Sequence, residues 1–145
     1  MDGSTEGFFT VFAPPTWLVR AGQRDDRLAV TGYVDDERPY LARSSVLVLP
    51  VRMGGGSRLK ALVGMASGLP IVSTRLGMEG LEAEPERHFL HAESAHEWVQ
   101  ALERLLGDPG LQVRLATGSR ALVEARYDLH ALGPRLRRAY RGLLT

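Results

Sequence analysis

The sequence predicts an α/β fold, a parallel sheet covered by helices on both faces. Two observations lead there. Short apolar runs alternate along the chain with amphipathic stretches of helical period. One run, Val46-Leu47-Val48-Leu49, is apolar at every position, the pattern of a strand buried on both faces of a parallel sheet. With 145 residues, 44% of them hydrophobic, the chain can build one core without a disulfide or a structural metal. A single domain over 1–145 is expected, with the polar residues 1–7 as a flexible leader. No internal repeat, low-complexity tract or linker breaks the pattern.

The elements follow in order. Phe8-Phe9-Thr10-Val11-Phe12 reads as a strand stopped by Ala13-Pro14-Pro15, and residues 16–21 as a short helix. Leu28-Ala29-Val30-Thr31 is a second strand; Asp35 or Asp36 caps a helix through Pro39, Tyr40, Leu41 and Arg43. After the strand 46–49 and its stop, Pro50, comes Gly54-Gly55-Gly56-Ser57. Leu59, Leu62, Val63 and Ala66 then fall at i, i+3, i+4 and i+7 on one helix face, with Ser57 as N-cap and Gly68 and Pro70 as the stop. Ile71-Val72-Ser73 and Phe89-Leu90 are further strands. Ser94-Ala95-His96-Glu97 has the form of a capping box, opening a helix with Trp98, Val99, Leu102, Leu105 and Leu106 inward. Asp108-Pro109 starts the next helix, carrying Leu111, Leu115, Leu122 and Val123. Gly133-Pro134 is expected to break the chain before a final arginine-rich helix.

Composition removes several function classes. No apolar run approaches the about 20 residues of a membrane span, and the polar, acidic start is not that of a secretory signal. Zero cysteines exclude a thiol nucleophile, a cysteine-ligated zinc and a disulfide framework; a cytoplasmic location is expected. A net charge of +1 gives no footprint for nucleic acid. Of the 18 cations, Lys60 is the one lysine among arginines.

In an α/β sheet ligands bind at the carboxyl ends of strands, so the loop after Leu49 is the first place to look. Strand, glycine run and helix N-terminus together make an anion-binding arrangement, because backbone N–H groups and the positive dipole end face the ligand. Arg58 and Lys60 sit in the first helical turn, where the dipole disfavours cations unless an anion offsets them. Neither G-x-x-x-x-G-K-[ST] nor G-x-G-x-x-G occurs. Taken alone, the segment fits phosphate binding and a flexible turn with solvated cations equally well.

The run Pro50-Val51-Arg52-Met53-Gly54-Gly55-Gly56-Ser57-Arg58-Leu59-Lys60 resembles the signature segment of GT-B glycosyltransferases of the family-4 type. The resemblance continues through Met65-Ala66-Ser67-Gly68-Leu69-Pro70-Ile71-Val72-Ser73-Thr74 and Gly77-Met78-Glu79-Gly80-Leu81, and reaches back to about Leu28. It implies a truncated Rossmann-like C-terminal lobe that binds a nucleotide-sugar. It also implies sugar transfer from the nucleotide donor with retention, and no metal or other cofactor, the NDP-sugar being the substrate. Gly54, Gly55, Gly56, Ser57, Arg58 and Lys60 are then implied to face the donor diphosphate, and Glu79 the sugar. No catalytic residue is implied on this chain; a catalytic histidine, where such enzymes use one, lies in the other lobe. The sequence departs from the family pattern at Val63, where a carboxylate that holds the donor ribose is usual, and at Gly55, where a partner acid is sometimes found. A nucleotide-sugar is the expected partner, with a separate N-terminal acceptor lobe or self-association beside it. The alternative is a non-catalytic module that binds a nucleotide without the acceptor lobe.

Other chemistry-bearing residues read more simply. His88 and His91 lack metal-ligand spacing. Glu82, Glu84 and Glu86 form a solvated run, and Glu79 competes between the sugar site and a turn cap. Arg135, Arg137, Arg138 and Arg141 are read as a solvated helix face, preferred over a membrane surface, with Leu136, Tyr140, Leu143 and Leu144 packed inward. Met65 belongs to the core, while Met53 and Met78 flank the cleft.

Overall fold

Leu28–Val30 pairs in parallel with Gly7–Phe9, so β1 (Gly7–Phe9), α1 (Thr16–Gly22) and β2 (Leu28–Val30) form a β-α-β unit. This computed structural model describes residues 7–9, 16–25 and 28–143. The leader expected over 1–7 lies outside those residues, except for Gly7, which opens β1. The rest of the first expected strand and its Pro14-Pro15 stop also lie outside them. The chain divides into two compact units, Met1–Ser44 and Ser45–Thr145.

The first unit ends with α2 (Arg38–Arg43). Its N-cap is Glu37, not Asp35 or Asp36, and no side chain caps it. Asp36 is diverted: its carboxylate accepts from the Arg38 backbone N–H at 3.0 Å and from Arg38 Nε at 2.9 Å. This local pair holds the Asp36 carboxyl below the usual carboxylate range, the Arg38 side chain contributing most.

In the second unit β3 (Leu47–Leu49), β4 (Ile71–Ser73) and β5 (Leu90–His91) form a parallel sheet in that order. Leu47 lies opposite Ile71, Leu49 opposite Ser73, and Val72 opposite Leu90. Alternation along β4 divides the core. Ile71 packs with Leu49, Ala61, Met65, Met78 and Phe89, on the side of α3 (Leu59–Ala66). Val72 packs with Leu90, Ala101, Leu105, Leu111 and Leu115, on the side of α4 (Ala95–Gly107) and α5 (Pro109–Arg126). Helices therefore cover both faces, as the sequence predicts.

The caps of the two long helices are those expected. Ser94 Oγ accepts the Glu97 N–H while the Glu97 carboxylate accepts the Ser94 N–H at 2.7 Å. Backbone N–H donors from Ser94 and then Glu93 pull the Glu97 pKa down to about 2. Asp108 accepts from Leu111 N at 2.9 Å, with Pro109 at the first helical position. The inward stripe of α4 differs from expectation: Ala101 and Leu105 are buried, but Val99 and Leu106 are each 53% exposed.

The last helix corrects two expectations. α6 runs Leu129–Leu143 with Pro134 inside it. Asp128 starts the helix early, accepting from His130 N at 2.7 Å, so the proline forfeits a single backbone bond one turn in instead of stopping the chain. Leu136 and Tyr140 are not packed inward but 56% and 66% exposed. The half-buried part of α6 is its first turn, at Ala131, Leu132 and Gly133. The Leu143 side chain and Leu144 lie outside the described residues. No described helix is long and apolar enough to cross a membrane.

Between β4 and β5 the chain turns tightly under α5. Glu86 adopts φ 64, and His88 is buried with its Nδ1 accepting the Glu84 N–H at 2.9 Å. Burial, then the Arg87 charge, lowers the His88 pKa, so the ring stays neutral and keeps that acceptor. Glu82, Glu84 and Glu86 are exposed as expected, each near an arginine, the closest being Glu86 to Arg104 at 2.7 Å. Gly118 of α5 passes over this turn so closely that a Cβ would stand 2.7 Å from the Arg87 carbonyl oxygen. Gly118→Ala, which would stabilise an open helix by about 1 kcal/mol, is therefore expected to destabilise the protein by about 1–3 kcal/mol. Urea unfolding checks this, and a stabilised variant would contradict the packing described.

Candidate functional site

The loop from Pro50 to Ser57 leaves the carboxyl end of β3, and its root is fixed by the end of the neighbouring strand. Ser73 and Thr74 are buried there. Thr74 Oγ1 donates to the Val51 carbonyl at 2.6 Å and accepts from Gly77 N at 3.1 Å. Ser73 Oγ donates to the Thr74 carbonyl at 3.0 Å. Gly77 can pass this close only without a side chain, since its Cβ would stand 3.1 Å from the Leu49 carbonyl and nearer still to Ser73 Oγ. Sequence reasoning missed Ser73, Thr74 and Gly77 as builders of the site. The available signal was two small hydroxyl residues at the carboxyl end of a buried apolar strand.

Beyond that root the loop is open. Residues 52–57 are exposed, and a Cβ on Gly54, Gly55 or Gly56 would meet nothing within 4 Å. Gly54 and Gly56 take φ 116 and 107, backbone that only glycine adopts without strain. The Gly55 backbone makes no such demand.

The helix that follows begins one residue later than predicted. Arg58, not Ser57, is the N-cap of α3: its carbonyl accepts from Leu62 N at 3.1 Å, and no side chain caps the helix. The serine fails as a cap because the chain enters the helix through Arg58 at φ −82, ψ 49. The first N–H groups of α3 therefore face the loop without a side-chain acceptor, at the positive end of the dipole. Lys60 lies exposed in that first turn.

Arg58 and Glu79 come together across this helix end. Arg58 Nη2 donates to Glu79 Oε2 at 2.9 Å, with the arginine side chain 10% exposed and the glutamate 66%. Arg58 Nε is buried without a hydrogen-bond partner. Glu79 follows the short 3₁₀ turn Leu76–Met78. Met78 does not flank a cleft: it is buried in the core with Leu49 and Ile71, because its turn folds back over β4. Met53 is fully on the surface, at 88% exposure. Val63 is half-buried on α3, outside both buried clusters.

A second polar group occupies the same edge of the sheet. Glu93, after β5, accepts from Arg75 N at 2.8 Å, lies 3.0 Å from His91 Nε2, and offers its carbonyl to Arg52 Nη2 at 3.2 Å. The Arg75 N–H, then His91, lowers its pKa. His88 and His91 thus have separate hydrogen-bond partners. No group of three or more His, Asp or Glu side chains suited to a metal occurs among the described residues.

The sequence model described as "Glycosyl transferases group 1" matches residues 11–108. No curated protein matches the chain. Among solved structures it is similar to sucrose-phosphate synthase from Thermosynechococcus elongatus, with 24% identity and TM-score 0.77 over 94% of this chain and 38% of that one. It is also similar to the C-terminal domain of a glycosyl transferase group 1 family protein, LpcC, from Francisella tularensis, with 23% identity and TM-score 0.62 over 77% and 59%. A third is HepE from Anabaena, solved in complex with UDP, with 13% identity and TM-score 0.72 over 86% and 35%. The chain therefore spans between about a third and three fifths of the length of these structures.

The loop geometry separates two roles for its glycines. Gly54→Ala is expected to destabilise by about 1–2 kcal/mol, the cost of a left-handed side-chain residue. Gly55→Ala should leave stability within about 0.5 kcal/mol. Thermal melts of the two variants check this; equal losses would contradict the loop conformation.

Proposed function

The chain belongs to the group 1 glycosyl transferases and has the α/β fold of a GT-B C-terminal lobe, and from that premise we propose that it binds the nucleotide-sugar donor of a retaining sugar transfer. The diphosphate sits over Gly54, Gly55, Gly56 and Ser57, against the first N–H groups of α3, with Arg58 and Lys60 supplying the charge. Glu79 lies at the sugar side of the same site. The observation that carries this reading is the open loop itself. Three adjacent glycines with no neighbour within 4 Å of a Cβ serve no packing purpose, yet they lead from a parallel strand into an uncapped helix N-terminus. That is where anions bind in α/β sheets.

The residues present divide the work. Backbone N–H groups of the loop and α3 orient the two phosphates without a metal. The cations offset the charge that develops on the nucleoside diphosphate as it leaves, which is where such stabilisation lowers a barrier. An acceptor and a lobe to hold it complete the proposed reaction, with the diphosphate as leaving group and no other cofactor. A second reading, nucleotide binding without transfer, draws on Val63, which offers no acceptor for ribose hydroxyls.

Titration of UDP or GDP into isotopically labelled protein tests the site. The amides of residues 54–60 are expected to shift before any others. Lys60→Ala should weaken binding by about 1–3 kcal/mol, the range for a charge-assisted contact. Shifts confined to other loops, with Lys60→Ala neutral, would overturn the proposal.

A further inference from the structure

Resting on the donor-binding reading above, we propose that Glu79 is a resident counter-anion on Arg58, which an incoming diphosphate must displace. The pair is asymmetric. The Arg58 side chain is 10% exposed and held at the N-cap of α3, whereas Glu79 is 66% exposed. The cation is fixed and the carboxylate is free to return to water.

The pair is also incomplete. Glu79 Oε2 takes Nη2 at 2.9 Å, while Nε, on the same edge of the guanidinium, is buried with no partner. A buried donor left unpaired costs free energy until an acceptor reaches it. A phosphate group presents two oxygens at a spacing that takes Nε and Nη2 together, with more charge than one carboxylate. It therefore replaces Glu79, whose carboxylate is 66% exposed and is solvated again once it leaves, while the buried guanidinium gains the new acceptor. A singly charged anion gains too little to do so. Glu79 thereby raises the charge that a ligand needs to occupy the loop, and favours diphosphates over smaller anions.

Calorimetric titration of pyrophosphate into the full chain at fixed ionic strength tests this. Glu79→Gln and Glu79→Ala are both expected to tighten binding roughly three- to tenfold, the effect of removing one nearby competing charge. In an Arg58→Gln background, Glu79→Gln should tighten binding clearly less than in the wild type, a dependence that a merely structural role for Glu79 would not produce. Unchanged or weaker binding by both Glu79 variants overturns the proposal, provided Arg58→Gln or Lys60→Ala weakens binding. Should Arg58→Gln fail to fold, Lys60→Ala supplies that control and the two Glu79 variants decide. If neither cation variant alters pyrophosphate binding, or no variant binds it, the donor-binding reading itself falls, and this proposal with it.

Discussion

The hydroxyl of Thr74, donating to the Val51 carbonyl at 2.6 Å, fixes where the loop can go. It joins the first turn after β3 to the first residue after β4. The parallel register, Leu49 opposite Ser73, is what brings those two points together. With Ser73 and Thr74 buried and Gly77 folded over them, the chain cannot reposition Val51 without leaving buried polar groups unpaired, which is costly. The glycines beyond it are therefore open without being unanchored. Rigid root and accessible backbone are the two properties that an anion-binding loop requires.

Charge at this edge follows from the same arrangement. Three parallel strands end together, and each is followed by a cation or an acid: Arg52 after β3, Arg75 after β4, Glu93 after β5. Glu93 ties the last two segments and Arg52 to one another. Arg58 stands apart from that group. A cation at a helix N-terminus opposes the dipole, and Glu79 offsets part of that cost with a contact to one side of the guanidinium. The Arg58 charge is thus partly offset, and its guanidinium remains one acceptor short at Nε.

Much of this was legible in the sequence where the signal was local or periodic. The all-apolar run 46–49 predicted a strand, although at the sheet edge only Leu49 of it is buried and the fully buried strand is β4. Ser94 with Glu97, and Asp108 with Pro109, predicted two helix starts. The glycine run announced the loop. What stayed hidden depended on tertiary neighbours. Ser57 has the chemistry of a cap, but the loop's exit angle gave that position to Arg58. Pro134 reads as a stop, yet Asp128 had already started the helix. Leu136 and Tyr140 have helical apolar spacing, but only the first turn of α6 is half-buried. Met78 and Thr74 gained their roles from a turn folding onto β4, 20 or more residues after the loop they support.

The most direct test of the central claim is a crystal structure of the chain with UDP. The diphosphate is predicted within hydrogen-bonding distance of the loop N–H groups at 54–57 and of Arg58 Nε, with the Glu79 carboxylate turned away from the guanidinium. UDP bound elsewhere, or bound with the Arg58–Glu79 contact intact and Nε still without a partner, would contradict it.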